Sequence, residues 1–236
     1  MNDQYINDEY MKKTGGTWHI EDSPWKAEQI SAMIKKHGLK KDIIGEIGCG
    51  AGAILSSLSK SPYFAATQFR GYDISPQAIA LAEQLKDERC EYLCSDLMSK
   101  TNENEFFDVL LVIDVIEHVP DYMGFAALCK NKATYKIYHI PLDLHLSSVF
   151  RNAFVPGRYS VGHLHYFTAE SAIATLKDTG HEIIDFVFTP GAFGLFRLHP
   201  TFKKGVANLP RWIVSRVSES LAARWFGGYS LLVLTK

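Results

Sequence analysis

The stretch Asp42–Leu55, DIIGEIGCGAGAIL, places Gly48, Gly50 and Gly52 directly after a short apolar run that carries one carboxylate, Glu46. Glycines so spaced let a ligand approach the main chain closely, with Cys49 between the first two. A dinucleotide site reads G-x-G-x-x-G and sets a pyrophosphate on a helix N-terminus. Here the third glycine comes one residue early, and Glu46 would repel a phosphate but suits a cationic ligand. Asp73 ends FRGYD and is followed by Ile74; an acidic residue there can accept from both hydroxyls of a ribose. Asp96, in LCSDL, can take an adenine amino group with Leu97 against the ring. Each feature has a plainer reading, a tight strand-to-helix turn for the glycines and a turn or helix cap for Asp96. The ordered set is more specific than any member.

A second group follows the most apolar run of the chain. FDVLLVI leads into Asp114, Glu117 and His118, and GHLHYFT later brings His163 and His165. A histidine held beside an acceptor hydroxyl or amine can take its proton, which contributes about 10²- to 10⁴-fold in rate. His118 and His163 are the candidate catalytic residues. The competing roles are structural: the Glu117–His118 pair closing a turn, and His165 packing beside Tyr166 and Phe167.

The elements that must position these residues alternate. DIIGEI, FRGYDI, CEYLCSD, FDVLLVIDVI and TYKIYHI read as strands, separated by helical patterns such as SPQAIALAEQLKDE, where Ser75 caps and Pro76 opens the helix. FDVLLVIDVI is apolar on both faces, as a central parallel strand is. Strand–helix alternation at this spacing predicts a parallel sheet with right-handed crossovers. Beyond Ile140, TAESAIATLKDTG reads as a helix capped by Thr168 and ended by Gly180, HEIIDFVFT as strand six and YSLLVLTK as strand seven. Two insertions interrupt this part, 141–167 and 190–228, the second with one predicted helix in PRWIVSRVSESLAARWF. DSPWKAEQISAMIKKHG forms a helix before strand one, and with Trp18, His19 and Trp25 it is a candidate cover for the ligand-bearing edge. The expected organisation is one domain over 1–236: an N-terminal cover to residue 40, a ligand-binding core over 41–140, and the two insertions as a substrate cap.

The chain has 236 residues, 47% hydrophobic and 22% charged, with a formal net charge of -1. That balance argues against a dedicated nucleic-acid binder. The N-terminal residues lack the apolar core of a signal peptide, and no apolar run approaches the roughly 18 residues that span a bilayer. Cys49, Cys90, Cys94 and Cys129 have no zinc-type spacing; Cys90 and Cys94 are expected as reduced core thiols on one strand face, in a cytoplasmic protein. The second insertion carries Arg197, Lys203, Lys204, Arg211, Arg216 and Arg224 against Glu219 alone, interleaved with Phe193, Phe196, Phe202, Trp212 and Trp225. It could serve an anionic substrate, touch a membrane surface, or form a solvated basic face.

GEIGCGAG, GYDIS, CSDLM and FDVLLVIDVIEHVPD, in this order and spacing, resemble the class I S-adenosylmethionine-dependent methyltransferases, and IEHVPD resembles the branch of the ubiquinone-biosynthesis O-methyltransferases. The resemblance is specific from about Asp42 to Ile140. It implies a Rossmann-like α/β fold with a seven-stranded, mostly parallel sheet whose last strand runs antiparallel between strands five and six. It also implies S-adenosylmethionine as cofactor. Glu46, Gly48, Gly50 and Gly52 would line its methionine part, Asp73 the ribose, Asp96 and Leu97 the adenine, with Asp114 near the sulfonium. Asp114, Glu117, His118 and His163 are similar in spacing to the metal site of divalent-dependent relatives, including the small-RNA 2′-O-methyltransferases, but Asp114 stands where those carry Glu, and no metal is assigned. The expected activity is methyl transfer to oxygen or nitrogen of a small-molecule acceptor, by a monomer or homodimer with no nucleic-acid partner and no stable membrane insertion. The alternatives are an NAD-dependent oxidoreductase, disfavoured by the glycine spacing and by Glu46 and Asp96, and a cofactor-binding regulatory protein without catalysis.

Overall fold

The structure, a computed structural model, describes residues 20–198 and 201–236, without the side chains of 195–198, 202–204 and 207. Trp18 and His19 therefore lie outside the described residues, as do the side chains of Phe196, Arg197, Phe202, Lys203 and Lys204. Seven strands form one sheet: β1 (Ile43–Ile47), β2 (Gln68–Asp73), β3 (Cys90–Cys94), β4 (Phe107–Ile113), β5 (Ala133–Pro141), β6 (Ile183–Thr189) and β7 (Ser230–Thr235). Their order across the sheet is β3-β2-β1-β4-β5-β7-β6. β1 to β5 are parallel, and β7 is antiparallel to both neighbours, β5 and β6.

Strand periodicity gives each face its own core. On β4, Val109, Leu111 and Ile113 belong to one cluster and Leu110 and Val112 to the other; on β7, Leu232 and Leu234 oppose Leu231 and Val233. The first face is covered by α1 (Ser23–Lys36), α2 (Ala53–Ser59) and α3 (Pro76–Ala82), through Ile30, Ile34, Leu55, Leu58 and Ile79. The second is covered by α4 (Tyr122–Lys130) and α7 (Ala169–Asp178), through Ala126, Cys129, Ala172 and Leu176. Local chemistry sets the helix starts: Ser75 accepts from Ala78 N ahead of α3, and Thr168 accepts from Ser171 N ahead of α7.

The insertions contain helices of their own. The first holds α5 (Leu146–Phe150) and α6 (Phe154–Ser160), and the second α8 (Gly191–Leu198), α9 (Phe202–Ser215) and α10 (Glu219–Phe226). The single helix predicted over PRWIVSRVSESLAARWF is thus two, because Ser218 leaves the helical conformation and caps α10 by accepting from Leu221 N. A second correction concerns the thiols: all four cysteines are free, but Cys94 is exposed at the end of β3 rather than in the core with Cys90. No helix among the described residues is long and apolar enough to cross a membrane.

One buried pair makes the fold sensitive to acid. His181, 4% exposed, bonds through Nε2 to the Tyr138 hydroxyl at 2.8 Å. Burial, then the nearby Lys136 charge, hold the imidazole down at about 4. The unfolded chain takes up this proton near the ordinary histidine value, so stability falls as pH drops from there to about 4 and this contribution is flat below. The expected loss is about 3 kcal/mol. Thermal unfolding midpoints between pH 7 and 4 should show the slope, and His181→Gln should flatten it.

Candidate active site

A cavity of about 530 Å³ opens at the carboxyl ends of β1, β2 and β4, within the size range of small-ligand sites. Of the residues singled out from sequence, Glu46, Gly48, Cys49, Gly50, Asp73, Ile74, Asp96, Asp114, His118 and His163 line it. Gly52 and Leu97 stand behind the wall. Leu97 is fully buried in the core of the second face. Gly52, at φ +73°, turns the chain into α2, and a Cβ there would lie 2.6 Å from the Tyr92 ring. Tyr92 also donates its hydroxyl proton to Gly52 O at 2.9 Å. Gly52→Ala is therefore expected to cost about 2 kcal/mol or more in a denaturant titration, from both clash and backbone strain.

The donor-side wall is built by backbone turns. Gly48 N and Cys49 N both bond Tyr72 O, at 2.8 and 3.1 Å, tying the glycine turn to β2. Asp73 Oδ2 accepts from Gly50 N at 2.9 Å and Oδ1 from Ser75 N at 2.8 Å, which fixes the carboxylate across the turn with a lone pair left on each oxygen. Burial raises its pKa, against the opposing pull of the Ser75, Gly50 and Ile74 amides. Asp96 is exposed and accepts from Met98 N at 2.8 Å. Glu46 is buried, and its Oε2 has no hydrogen-bond partner. Burial pushes this carboxyl well above the usual range, only partly countered by Lys26. Such an orphaned acceptor is costly unless a ligand satisfies it.

The N-terminus of α1 reaches over the same cavity and contributes Ser23 and Lys26 after the turn Ile20–Asp22. Lys26 Nζ lies 2.7 Å from Asp114 Oδ2 and 2.9 Å from Asp22 Oδ2. Burial alone would lower the lysine, but the two carboxylates outweigh it and hold Lys26 above its ordinary value. Asp114 is likewise held well below the carboxylate range: burial opposes, while Lys26 and His139 prevail. His139 Nδ1 sits 2.6 Å from Asp114 Oδ1 and Nε2 2.9 Å from Thr189 Oγ1. Asp114 also has φ +53°, a strained value for a residue with a side chain, of the kind that concentrates at functional sites.

The other wall joins β4 to the first insertion. Glu117 O accepts from Leu164 N at 2.8 Å and His165 N at 3.1 Å, which lays residues 162–167 along the turn Ile116–His118. His118 Nδ1 meets Gly162 O at 3.0 Å; a carbonyl only accepts, so Nδ1 carries the proton and Nε2 the lone pair. His163 Nδ1 meets the Asp143 carboxylate at 2.7 Å, with the same outcome. Both Nε2 atoms turn toward Glu117 Oε1, at 3.8 and 4.0 Å. Neither oxygen of the buried Glu117 has a hydrogen-bond partner, and burial, with Asp114 nearby, pushes its pKa well up. Ligand atoms of Glu117, His118 and His163 all lie within 4.8 Å of one another, while Asp114, the fourth residue of the sequence pattern, is engaged by Lys26 and His139 instead. His165 packs on the Tyr122 ring and bonds Val119 O at 3.0 Å, away from the cavity.

Lys26 was not among the residues the sequence singled out. The only local signal is its i,i+4 spacing from Asp22. Trp25, a candidate part of the cover, lies edge-on to the His139 ring at 6.3 Å rather than in the cavity wall.

Residues 45–132 match the family described as Methyltransferase domain. Ubiquinone biosynthesis O-methyltransferase of Coxiella burnetii is 28% identical over 86 residues, which is 35% of this chain and 35% of that protein. The match thus spans about a third of the length of the curated relatives. Among solved structures, magnesium protoporphyrin IX methyltransferase from Synechocystis, with S-adenosylhomocysteine bound, superposes with a TM-score of 0.58 at 15% identity, covering 90% of this chain and 81% of that one. A SAM-dependent methyltransferase from Archaeoglobus fulgidus gives 0.58 at 19% identity, covering 89% and 94%. Residues 45–132 thus resemble a methyltransferase domain, and the chain shares the fold of these SAM-dependent methyltransferase structures.

Proposed function

We propose that the protein transfers a methyl group from S-adenosylmethionine to an oxygen or nitrogen of a small-molecule acceptor, in the cytoplasm, as a monomer or homodimer. The observation that carries this reading is the cavity's charge. Among the described residues, the carboxyl groups of Asp22, Glu46, Asp73, Asp96, Asp114 and Glu117 face it with Lys26 the one Lys or Arg, and Glu46 Oε2 is unpartnered. S-adenosylmethionine, when bound, supplies an electrophilic methyl on a sulfonium together with an ammonium group and no phosphate. Glu46 receives the ammonium, Gly48, Cys49 and Gly50 let the main chain close on it, and Asp73 holds the ribose hydroxyls. Asp96 takes the adenine amino group beside Ile74, and Asp114 faces the sulfonium side. Gly52 and Leu97 support this wall from behind. α1 and the insertions keep water from the reacting atoms, and alignment there supplies several kcal/mol of rate. His118 or His163 accepts the acceptor's proton at Nε2.

A second reading of the same cluster is favoured by Glu117, whose buried carboxylate has no hydrogen-bond partner beside two histidine lone pairs. Glu117, His118 and His163 would then hold a divalent cation, with Gly162 O and Asp143 fixing the histidine tautomers. Such an ion lowers the pKa of an acceptor hydroxyl. Metal analysis of the purified protein and loss of activity with a chelator separate this from the histidine base.

Calorimetric titration with S-adenosylhomocysteine, with NAD in parallel, tests the main reading. Micromolar binding of the first and none of the second supports it, and the reverse overturns it. Tight binding with no methyl transfer to any of a broad acceptor panel would favour a regulatory, non-catalytic protein.

A further inference from the structure

Helix α9 turns Asn208 and Arg211 inward, beside Val214, which packs on the second core. Asn208 is buried, and Arg211, half-buried, reaches Gly227 O at 2.6 Å and Phe226 O at 3.0 Å at the end of α10, with Asn208 Oδ1 as a further acceptor. The opposite side carries Val206, Leu209 and Ile213, continued by Val217 just beyond the helix, at the three- and four-residue spacing that puts side chains on one helical face. Leu209 and Ile213 are 55% and 54% exposed and Val217 84%. A surface helix normally turns such a stripe to the core; here it faces solvent. Trp212 stands exposed beside the stripe, with Arg216 over its ring at 4.9 Å. α10 packs against both α9 and α5, and Trp225 on α10 and Phe150 on α5 are exposed.

Charge accompanies the stripe. Residues 190–228 hold six Lys and Arg residues against Glu219, a net +5 in a chain of net -1. Arg216 is exposed on the second insertion and Arg151 beside α5, while the exposed Arg224 is paired with Glu170.

We propose that this face docks on an anionic lipid surface, with α9 lying in the headgroup layer and Val206, Leu209, Trp212, Ile213 and Val217 turned toward the acyl chains. A second copy is the poorer occupant. A two-fold contact sets the same patch against itself, which would bring Arg216 and Arg151 into like-charge company. An anionic headgroup layer pairs with those arginines while the apolar stripe leaves water. The contact is peripheral, since no described helix is fit to span a bilayer. It stands independently of the methyl-transfer reading.

The test is sedimentation of the full chain with vesicles of phosphatidylcholine, alone or mixed with phosphatidylglycerol. The expected result is binding to the mixed vesicles that is about tenfold weaker on neutral ones and weakens with salt. The double variant Leu209→Glu/Ile213→Glu should lose about tenfold or more in partitioning, with an unchanged circular dichroism spectrum. Arg216→Gln should reduce the preference for the anionic vesicles. Quenching of wild-type tryptophan fluorescence by brominated acyl chains, reduced in Trp212→Phe, checks the geometry without disturbing the stripe. No sedimentation with either vesicle, or equal binding to both, would overturn the proposal. So would a dimer in light scattering that Leu209→Glu/Ile213→Glu converts to monomer, since a second copy would then cover the face.

Discussion

Replacing Glu117 by Gln, or His118 or His163 by Ala, is expected to lower methyl transfer about 10²- to 10⁴-fold while S-adenosylhomocysteine still binds close to wild-type affinity. The two histidine lone pairs and the unpartnered carboxylate converge on one point of the cavity, 4.8 Å across at most, and none of the three is assigned to the cofactor's ammonium, ribose or adenine. Glu117 is a ligand in the metal reading, each histidine is a ligand there or the candidate proton acceptor, and both roles act on the acceptor. Transfer of radiolabelled methyl to the first acceptor found for the wild-type chain provides the rate, and calorimetry the affinity. A variant that turns over normally would exclude that residue from both roles. Asp143→Asn offers a graded control. It keeps a hydrogen-bond partner for His163 Nδ1 but lets the tautomer change, so a loss of about 10- to 100-fold is expected.

Lys26→Met is expected to destabilise the fold by about 3 kcal/mol in denaturant unfolding. Lys26 is 13% exposed and balances two carboxylates, Asp22 and Asp114, each within 3 Å of its ammonium. Truncating one partner of a buried ion pair leaves the other charge uncompensated, which commonly costs more than the pair contributes. Lys26→Met/Asp114→Asn should recover much of the loss, because the stranded charge is then gone; His139, which also faces Asp114, limits the recovery. The pH dependence has a defined sign. Asp114 is held below its ordinary range, so its contribution is present above the ordinary carboxylate pKa and is lost as pH falls through the folded value. Lys26→Met should weaken that acid sensitivity. Equal stability of wild type and single variant at neutral pH would show that solvent, rather than Lys26, neutralises the pair.

The sheet was legible because its signals are local. FDVLLVI is apolar at every position, and the structure buries all seven residues of β4 between two cores. The glycine turn, Asp73 and Asp96 were legible for the same reason: each follows immediately on a strand, and a parallel sheet collects strand ends at one edge. Lys26 was not legible. The helix is expected over the ligand-bearing edge, but which of its side chains meets Asp114 depends on how α1 is rotated there, and nothing in the spacing of SPWKAEQISAMIKK encodes that. Leu97 and Gly52 show the converse limit. Sequence places them next to the site, but which way a side chain points was decided by the Tyr92 ring and by the second core. The break between α9 and α10 has a local signal in Ser218, a residue type that favours the helix N-cap.

The position of β7 between β5 and β6 bears on biosynthesis. A ribosome delivers the strands in chain order, so β5 and β6 emerge while the strand that joins them is still being made. Until Ser230–Thr235 is released, β5 presents an open hydrogen-bonding edge, and β6 has no neighbour in the sheet. Such an edge invites pairing with other nascent chains. A nascent chain that has not yet released β7 thus exposes the kind of open edge that chaperones of extended segments cover, and this half of the sheet closes only when β7 arrives.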